Sequence, residues 1–478
     1  MTHFLDEILN PKSVAFLGAS NNIITMGTGQ CYTLKSRFTG KIFPIHPSEK
    51  RILGLPVYRK LEDLPEIPDL LIIVLPTRLV TEYLEAAGKL GIPYAIIVSA
   101  GFGEVGDVDS QEKLNEIANE YNMRFIGPNC IGVINTHSCH GILNCTWFPF
   151  ELPSGQTGNI SLLSQSGSWI SQILIWAERR GIRIGKSISV GNEANTSITE
   201  CLDFFRQDDQ TEVIGMYLEG IKSEGRKFVE TLQATAKDKP VVVSYHGGTT
   251  AGARAGMSHT ASLGGNPSIY ETIFKQSGVI QAANMEELFE FTHAFSLAHP
   301  PKGNRIGLVT NSGGPAVTLA DLCEKEGLRV VSFSNDLQSQ LKEIIPTVAS
   351  ANNPIDLTFD MNFTLFYEDV PKLIWHSGEV DALVFYGIFG SSMLERSVRY
   401  NHGEFKDLFP LEGMNFLVKE TLDRFFEWVH TNKIPVLISC IDTADNLIPI
   451  LQENRIPVFK WPGMTVKAMK ALVEYYSR

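Results

Sequence analysis

The chain has 478 residues, of which 44% are hydrophobic, and it carries a formal net charge of −12. That length is typical of roughly three domains of about 150 residues each. An acidic chain without a block of basic residues is a poor match for nucleic acid, so we expect no nucleic-acid partner. An anionic ligand must then be held by local groups and not by the overall charge.

Membrane, secretory and metal-binding classes are also disfavoured. The longest apolar runs fall short of the about 18 residues that a transmembrane helix needs, so we expect no membrane partner. The start, Met1-Thr-His-Phe-Leu5, lacks the basic and apolar regions of a signal peptide, which predicts a cytoplasmic location. The seven cysteines are scattered without a Cys-x-x-Cys pair. We therefore expect reduced thiols and no metal site.

Short apolar runs alternate with amphipathic stretches along the whole chain. Nine runs are predicted as strands, at 13–17, 70–75, 95–98, 159–163, 213–218, 240–244, 305–310, 381–385 and 434–439. Helical patterns such as 81–90 and 111–122 lie between them. Runs of this kind are typical of parallel strands buried on both faces and joined by right-handed crossovers. The sequence therefore predicts the α/β class.

Proline and glycine interrupt this alternation near 148–155 and 298–304. The interruptions predict three domains with boundaries at 1–147, 148–300 and 301–478. The second and third domains open alike, since each has a strand, then a pair of polar residues, then Ser-Gly. We expect them to share one architecture.

Three strand-to-loop junctions are candidate phosphate sites: Gly18-Ala-Ser20, Ser164-Gln-Ser-Gly167 and Asn311-Ser-Gly-Gly314. The helix that follows such a loop presents unpaired N–H groups and the positive end of its dipole. Each junction taken singly is also explained by a helix cap and a tight turn, but three in one chain favour phosphate. The first junction breaks the G-x-G-x-x-G pattern, which disfavours a nicotinamide dinucleotide.

His259 lies in a stretch of small and hydroxyl residues, Ser258-His-Thr-Ala-Ser262, after a glycine pair at Gly247-Gly248. Such a loop leaves an imidazole free to meet phosphate. The alternative is a histidine that serves only local structure near a turn, as most histidines do. The phosphate junctions favour the reactive interpretation.

Further short segments complete a pattern that runs through the chain in order. They are Gly40-Lys-Ile-Phe-Pro-Ile-His-Pro47, Ile126-Gly-Pro-Asn-Cys-Ile-Gly132, Ser189-Val-Gly-Asn-Glu-Ala194, Tyr217-Leu-Glu-Gly220 and Asn353-Pro-Ile-Asp356. With the segments above, they make the chain resemble the α-type part of the ADP-forming acyl-CoA synthetases, the family of acetate–CoA ligase (ADP-forming). It is more distantly similar to the α subunit of succinyl-CoA synthetase.

The resemblance implies a Rossmann-like CoA-binding domain (1–147), a flavodoxin-like ligase domain with a phosphohistidine loop (148–300) and a second flavodoxin-like ligase domain (301–478). It implies the reaction acyl-CoA + ADP + phosphate ⇌ carboxylic acid + ATP + CoA, through an acyl phosphate and a phosphohistidine. His259 matches the phosphorylated histidine. Glu219 matches the carboxylate that orients its ring, although a glutamate that merely caps a turn explains this position equally well on residue chemistry alone.

The remaining site residues are also implied by the resemblance. The two phosphate cradles match Ser166, Gly167, Asn311, Gly313 and Gly314. The CoA-binding positions match Gly18, Ala19, Ser20, Pro76, Gly101, Pro128 and Asn129. Some positions depart from the family, because Asn21, Ser48 and Tyr245 stand where it has cations, and Asn195 where it often has Asp.

No part of the chain resembles the ATP-grasp module of these enzymes, and no Gly-x-x-x-x-Gly-Lys-Ser/Thr loop is present. The resemblance therefore implies a separate ATP-grasp β-type subunit, which supplies ATP or ADP and Mg²⁺, in a hetero-oligomer acting on a small carboxylic acid. Two alternatives stay open: a CoA-binding regulatory or scaffold protein that has lost turnover, and a phosphohistidine enzyme whose acyl acceptor is not CoA.

Overall fold

The computed structural model describes residues 3–151, 155–222, 224–252, 266–358, 360, 362–387, 400, 411–441 and 446–478. His259 lies outside the described residues. The chain divides into two compact units, residues 1–288 and 289–478, and each is described by itself.

The first half of unit 1 is built on a five-stranded parallel sheet. Its strands and a small antiparallel pair, β3–β4, are β1 (Ser13–Leu17), β2 (Lys41–Ile45), β3 (Arg51–Ile52), β4 (Leu55–Pro56), β5 (Leu70–Ile73), β6 (Tyr94–Ile97) and β7 (Arg124–Ile126). The helices are α1 (Phe4–Leu9), α2 (Met26–Arg37), α3 (Thr77–Leu90) and α4 (Val108–Glu120). Every residue of β1 and β5 is buried, as expected for strands covered on both faces.

The second half of unit 1 contains a seven-stranded sheet. Its strands are β8 (Val133–Asn135), β9 (Leu143–Asn144), β10 (Ile160–Ser164), β11 (Ile184–Ser189), β12 (Val213–Leu218), β13 (Val241–Tyr245) and β14 (Ile280–Gln281). The described helices are α5 (Gly167–Arg180), α6 (Ile198–Gln207), α7 (Gly225–Asp238) and α8 (Pro267–Ser277). The sheet is parallel except at one edge, where β8 pairs antiparallel with both β11 and β9.

Unit 2 is built on a third sheet of five parallel strands. They are β15 (Ile306–Thr310), β16 (Ile355–Asp356), β17 (Ala382–Tyr386), β18 (Val436–Ser439) and β19 (Val458–Phe459). Its described helices are α10 (Gly313–Lys325), α11 (Asn335–Ile344), α12 (Val370–His376), α13 (Leu411–Thr431), α14 (Leu447–Glu453) and α15 (Pro462–Tyr476), and α9 (Met285–Leu297) crosses the boundary between the units. A one-turn π-helix, Leu365–Asp369, precedes α12.

All three sheets share one strand order. The order is β2-β1-β5-β6-β7 in the first sheet, β11-β10-β12-β13-β14 in the parallel part of the second, and β16-β15-β17-β18-β19 in the third. Each reads 2-1-3-4-5 in its own chain order, the doubly wound flavodoxin-like arrangement. The α/β class is confirmed, and so is the shared architecture of the chain's second and third parts.

This strand order also predicts where ligands bind. In a doubly wound sheet, the connections after strands 1 and 3 leave toward opposite faces, which opens a crevice at the carboxyl ends of those strands. The three crevices lie between β1 and β5, between β10 and β12, and between β15 and β17. Each of the three glycine-containing junctions of the sequence follows strand 1 of its sheet.

A buried ion pair connects β11 of the second sheet with the end of α6. The Lys186 ammonium on β11 lies 2.6 Å from the Asp208 carboxylate and also donates to Gln210 Oε1 at 2.8 Å. The Lys186 side chain is 5% exposed and that of Asp208 11%. Burial by itself raises the pKa of the Asp208 carboxyl, but hydrogen bonds from Lys186 and Thr211 outweigh it and hold that pKa below its ordinary value.

Asp208→Asn is expected to lower the free energy of unfolding at pH 7 by about 3–5 kcal/mol, because it leaves the Lys186 charge buried without its counter-ion. A carboxyl whose pKa is depressed by folding stabilises the protein above its unfolded pKa, and this contribution is lost as pH falls through the folded value. Urea denaturation at pH 7 and below pH 4 measures the difference.

The matched control is Glu230→Gln, which breaks the exposed Arg226–Glu230 pair. We expect it to leave the unfolding midpoint unchanged. Equal effects of the two substitutions at pH 7 would contradict a special role for the buried pair.

Candidate functional site

The loop after β1 is shaped by close backbone contacts. Gly18 has a φ of +104°, and a Cβ added there would lie 1.9 Å from the carbonyl oxygen of Val74, so only glycine fits. Gly27, in the first turn of α2, packs as closely on the carbonyl of Gly18. The Ser20 amide donates to Thr28 Oγ1 at 2.9 Å. The loop therefore holds the end of β1 against the start of α2, at the first crevice.

A cavity of about 610 Å³ lies within unit 1 and joins groups from both of its sheets. From the first sheet come strand-end residues such as Leu75 and Ala100. Of the predicted site residues that the structure describes, four line the wall: Asn129, Ser166, Gly167 and Glu219. Gly18, Ala19, Ser20, Pro76, Gly101 and Pro128 are not part of the wall, although Pro76 and Gly101 directly follow two of its residues.

On the side of the second sheet, the wall contains the start of helix α5. Ser166 is the N-cap of α5, and its side chain makes no capping hydrogen bond to the N–H groups of the first turn. A Cβ at Gly167 would lie 2.9 Å from the Cβ of Ile131, so glycine lets the helix start approach the opposite wall. Uncapped N–H groups and the positive end of the helix dipole make this position suitable for phosphate.

Glu219 follows the last residue of β12 and faces the same cavity. Its Oε2 atom is buried and has no hydrogen-bond partner among the described residues. An unpaired buried acceptor is costly, so this oxygen is placed to receive a donor. The segment with His259, residues 253–265, lies outside the described residues.

Two aromatic side chains lie next to Glu219, and the pKa of each is shifted from its ordinary value. Burial and the nearby Glu219 carboxylate raise the pKa of the Tyr217 phenol. The His246 ring stacks on Tyr217 with 5.1 Å between ring centroids, and its Nε2 lies 2.8 Å from Ser244 Oγ. Burial lowers the pKa of the His246 imidazole.

Pro128 and Asn129 belong to a loop that is tied to the second sheet. The Asn192 amide N–H donates to the Pro128 carbonyl at 2.9 Å, and the Asn129 side chain donates to Asn192 Oδ1 at 3.2 Å. Asn192 in turn donates to Glu104, which accepts from the Phe102 amide beside Gly101. The loop around Asn192 thus connects the two halves of unit 1 at the cavity.

The residues of the second predicted cradle lie in unit 2, at the crevice between β15 and β17. Ser312 is the N-cap of α10, and its side chain makes no capping hydrogen bond to the turn that begins at Gly313, as in α5. Asn311 lies beside Gly387, the residue after β17. A Cβ at Gly314 would meet no atom within 4 Å.

The departures from the family pattern have local explanations. The Asn21 amide donates to Glu49 and to the Arg51 carbonyl. Tyr245 stacks on Tyr270 with 4.0 Å between ring centroids, so it packs as an aromatic residue where the family has a cation. Asn195 Oδ1 accepts from Arg124 Nε at 3.0 Å, which keeps an acceptor where the family often has Asp.

Other wall residues were not predicted from the sequence. Gln165, which directly precedes Ser166, is buried and belongs to the wall. Trp147 and Phe148 also line the cavity, and the indole of Trp147 packs on Gly29, where a Cβ would lie 2.1 Å from its Nε1. Gln165 lies inside a motif that was recognised, whereas an irregular segment such as 145–151 gives no periodic signal.

Neither a metal site nor a membrane span is found in the described part of the chain. No group of three or more His, Cys, Asp or Glu side chains is placed to hold a metal ion there. None of its helices is long and apolar enough to cross a membrane.

Three protein families match successive parts of the chain. The CoA binding domain matches residues 12–136, the succinyl-CoA ligase like flavodoxin domain 157–295, and the ligase-CoA domain 306–391. The α subunit of acetate–CoA ligase [ADP-forming] II of Pyrococcus furiosus is 32% identical, over 98% of this chain and 97% of the relative. The chain belongs to the ADP-forming acyl-CoA synthetase family.

Solved structures and other relatives agree. The structure of the dinucleotide forming acetyl-coenzyme A synthetase 1 of Ca. Korarchaeum cryptofilum, in complex with phosphate and ADP, has a TM-score of 0.82 and 30% identity, over 98% of this chain and 96% of that one. The acetate–CoA ligase [ADP-forming] of Methanocaldococcus jannaschii is 38% identical over 74% of this chain, which spans 49% of that relative. The predicted family, an acid–thiol ligase, is therefore confirmed, together with its CoA-binding and flavodoxin-like domains.

Proposed function

We propose that the chain acts as the α-type subunit of an ADP-forming acyl-CoA synthetase and uses His259 to carry phosphate. The observation that carries this proposal is the cavity of unit 1. There the uncapped start of α5 and the unpartnered oxygen of Glu219 face the strand ends of the first sheet. A phosphate site, a carboxylate able to orient an imidazole, and the expected CoA thiol end thus share one space.

The proposed half-reaction has two steps. Phosphate bound at Ser166 and Gly167 attacks the thioester carbonyl of acyl-CoA, which forms an acyl phosphate and releases the CoA thiolate. His259 then attacks phosphorus, so that the P–O bond to the acyl group breaks and the carboxylic acid leaves as its carboxylate. Glu219 accepts the hydrogen bond of the other ring nitrogen and stabilises the positive charge that develops on the ring. Positioning and electrostatics dominate such transfers.

CoA is assigned to the first crevice. The loop Gly18-Ala-Ser20 and the start of α2 would bind its phosphates, since the α2 N-cap, Thr25, makes no side-chain capping hydrogen bond to the first turn. Pro76 and Gly101 follow the next two strands, and Pro128 and Asn129 would border the thiol end. Within the proposal, residues 1–147, 148–300 and 301–478 are the three domains.

The proposal also includes a partner. The relative from P. furiosus is named as an α subunit, whereas the relative from M. jannaschii is a chain about twice as long as the matched part. We propose that an ATP-grasp subunit binds ATP or ADP with Mg²⁺, and that Asn311, Gly313 and Gly314 cradle the phosphohistidine on its side of the reaction. A hetero-oligomer, a small carboxylic acid as substrate and a cytoplasmic location belong to the same proposal.

The half-reaction tests this function without the partner. Given acyl-CoA and inorganic phosphate, the chain is expected to release free CoA thiol and to form an acyl phosphate that hydroxylamine traps. Gly167→Ala should slow thiol release on the order of tenfold, since its Cβ pushes the start of α5 from Ile131 and a 1 Å displacement can cost ~100-fold. A thiol reagent follows the release.

The matched control is Gly413→Ala on α13, where a Cβ meets no atom within 4 Å. It should leave the rate unchanged. Binding of CoA without any thiol release, even beside an ATP-grasp partner, would favour a scaffold protein instead.

A further inference from the structure

Gln165 connects the start of α5, which is the proposed phosphate cradle, with Glu219. It follows the last residue of β10 and precedes Ser166, the N-cap of α5. Its side chain is buried, with 3% of the residue exposed. A buried amide must find partners for two N–H groups and a carbonyl oxygen.

The Gln165 amide finds all of them at Glu219 and its neighbours. Its Oε1 accepts from the Glu219 amide at 2.6 Å and from the Gly220 amide at 3.2 Å. Its Nε2 donates to the Gly220 carbonyl at 2.7 Å and to the Glu193 carboxylate. With two donors at one end and two acceptors at the other, the orientation of the amide is determined.

The Gln165 side chain takes the place of a backbone partner for Glu219. The pairing of β10 with β12 ends at Ser164 and Tyr217, and the pairing of β12 with β13 ends at Leu218. Glu219 therefore lies one residue beyond the sheet. Among the described residues, its amide N–H donates only to the Gln165 side chain. One amide thus continues the β10–β12 ladder up to the residue that carries the carboxylate.

Glu193 holds the amide from the opposite side. It is in the left-handed region, with a φ of +53°, and its second oxygen accepts from the Ile198 amide at 2.8 Å. Burial raises the pKa of its carboxyl. Glu193 is the neighbour of Asn192, which connects to the Pro128–Asn129 loop. The Gln165 amide is therefore held between two loops that follow strands of the second sheet, and one of these loops also contacts the first half of unit 1.

We propose that Gln165 is a positioning residue for phosphoryl transfer: its side-chain amide holds the backbone of Glu219 and thereby keeps the carboxylate in the cavity wall that also contains the phosphate cradle of α5. The inference rests on the proposed function, because it takes Glu219 as the group that orients His259. Gln165 acts through Glu219, so a substitution at Gln165 should lower the rate of phosphoryl transfer only when the Glu219 carboxylate is present.

A double-mutant cycle tests this. The rate of phosphohistidine formation is measured with acyl-CoA and labelled inorganic phosphate, as acid-labile label on the full chain. Gln165→Met removes the amide but keeps the length of the side chain. It should lower the rate by about 100-fold when Glu219 is present, the cost of a displacement near 1 Å. In Glu219→Gln it should lower the rate only within about twofold.

Two further measurements separate positioning from stability. The KM for acyl-CoA should stay within about twofold in Gln165→Met. The substitution does not displace the loop Gly18-Ala-Ser20, to which CoA is assigned, and it acts on the later transfer of phosphate to the histidine. Gln165→Glu provides a second variant of the same shape, in which a carboxylate faces Glu193 and the Gly220 carbonyl, and it should show the same loss. Gln207→Met, at an exposed glutamine that donates to Asp203, is the control and should match the wild type.

Three results would overturn the proposal. Equal losses from Gln165→Met with and without Glu219 would show a purely structural role. An unchanged rate in both Gln165 variants would show no role. A wild-type rate in Glu219→Gln would remove the group through which Gln165 acts, whereas a wild-type chain that forms no phosphohistidine would contradict the proposed function itself.

Discussion

Replacement of His259 by alanine is expected to abolish net acyl-CoA synthesis by the chain and its nucleotide-binding partner. The imidazole is the proposed carrier of the phosphoryl group, and alanine offers no nucleophile for this covalent step. Glu219→Gln should be less severe and slow synthesis by roughly 10²–10⁴-fold, the range for lost acid–base support. Coupled measurement of acyl-CoA and ADP follows both.

Labelled inorganic phosphate gives a second test of the role of His259. Phosphate attached to the wild type should be labile in acid and stable in base, and it should be absent from His259→Ala. His376→Ala, at an exposed histidine of α12, is the matched control and should retain full activity. Full activity of His259→Ala, or an acid-stable phosphoester on the chain, would disprove the mechanism.

The 478-residue chain purified by itself is expected to form no ADP from ATP, Mg²⁺, CoA and a carboxylic acid. Phosphoryl transfer from a nucleotide needs a triphosphate site and a metal site side by side. The sequence has no Walker-type loop and no resemblance to an ATP-grasp module. Addition of an ATP-grasp partner should restore ADP formation in equal amount to acyl-CoA.

The control for this experiment is the half-reaction, which should proceed with and without the partner. ADP formation by the chain alone, at a rate that survives further purification and disappears in His259→Ala, would overturn the assignment of the nucleotide site to a partner. Failure of both reactions in the presence of the partner would contradict the synthetase function.

The strands of the fold were predictable to different degrees. β1 and β5 are runs of buried apolar residues, so their pattern alone predicts them. β11 is also fully buried, yet it reads Ile-Gly-Lys-Ser-Ile-Ser. Lys186 and Ser189 find their partners elsewhere in the chain, at Asp208 and at the Ile131 amide, and a hydropathy pattern cannot show that. The antiparallel strands β8 and β9 are too short to give a pattern.

The candidate site divides in the same way. Ser166 and Gly167 were found because a Ser-Gly pair after a buried strand is a local signal, and Glu219 was found through the family resemblance. The structure brings these three residues to one cavity. Their roles, and that of His259, stay predictions. Asn311, Gly313 and Gly314 lie in the other unit, at the equivalent crevice of its sheet.

The sequence by itself determined the α/β class, the parallel strands and the three glycine-containing junctions, because these depend on residues that are near one another in the chain. A run of apolar side chains or a glycine after a strand acts locally, whatever the rest of the fold does. Only the tertiary structure decided which junction faces which carboxylate. Gln165 meets Glu219 across 54 residues, and Asn192 meets Glu104 across 88. Contacts over such separations arise from strand order and sheet packing, which leave no periodic trace in the sequence.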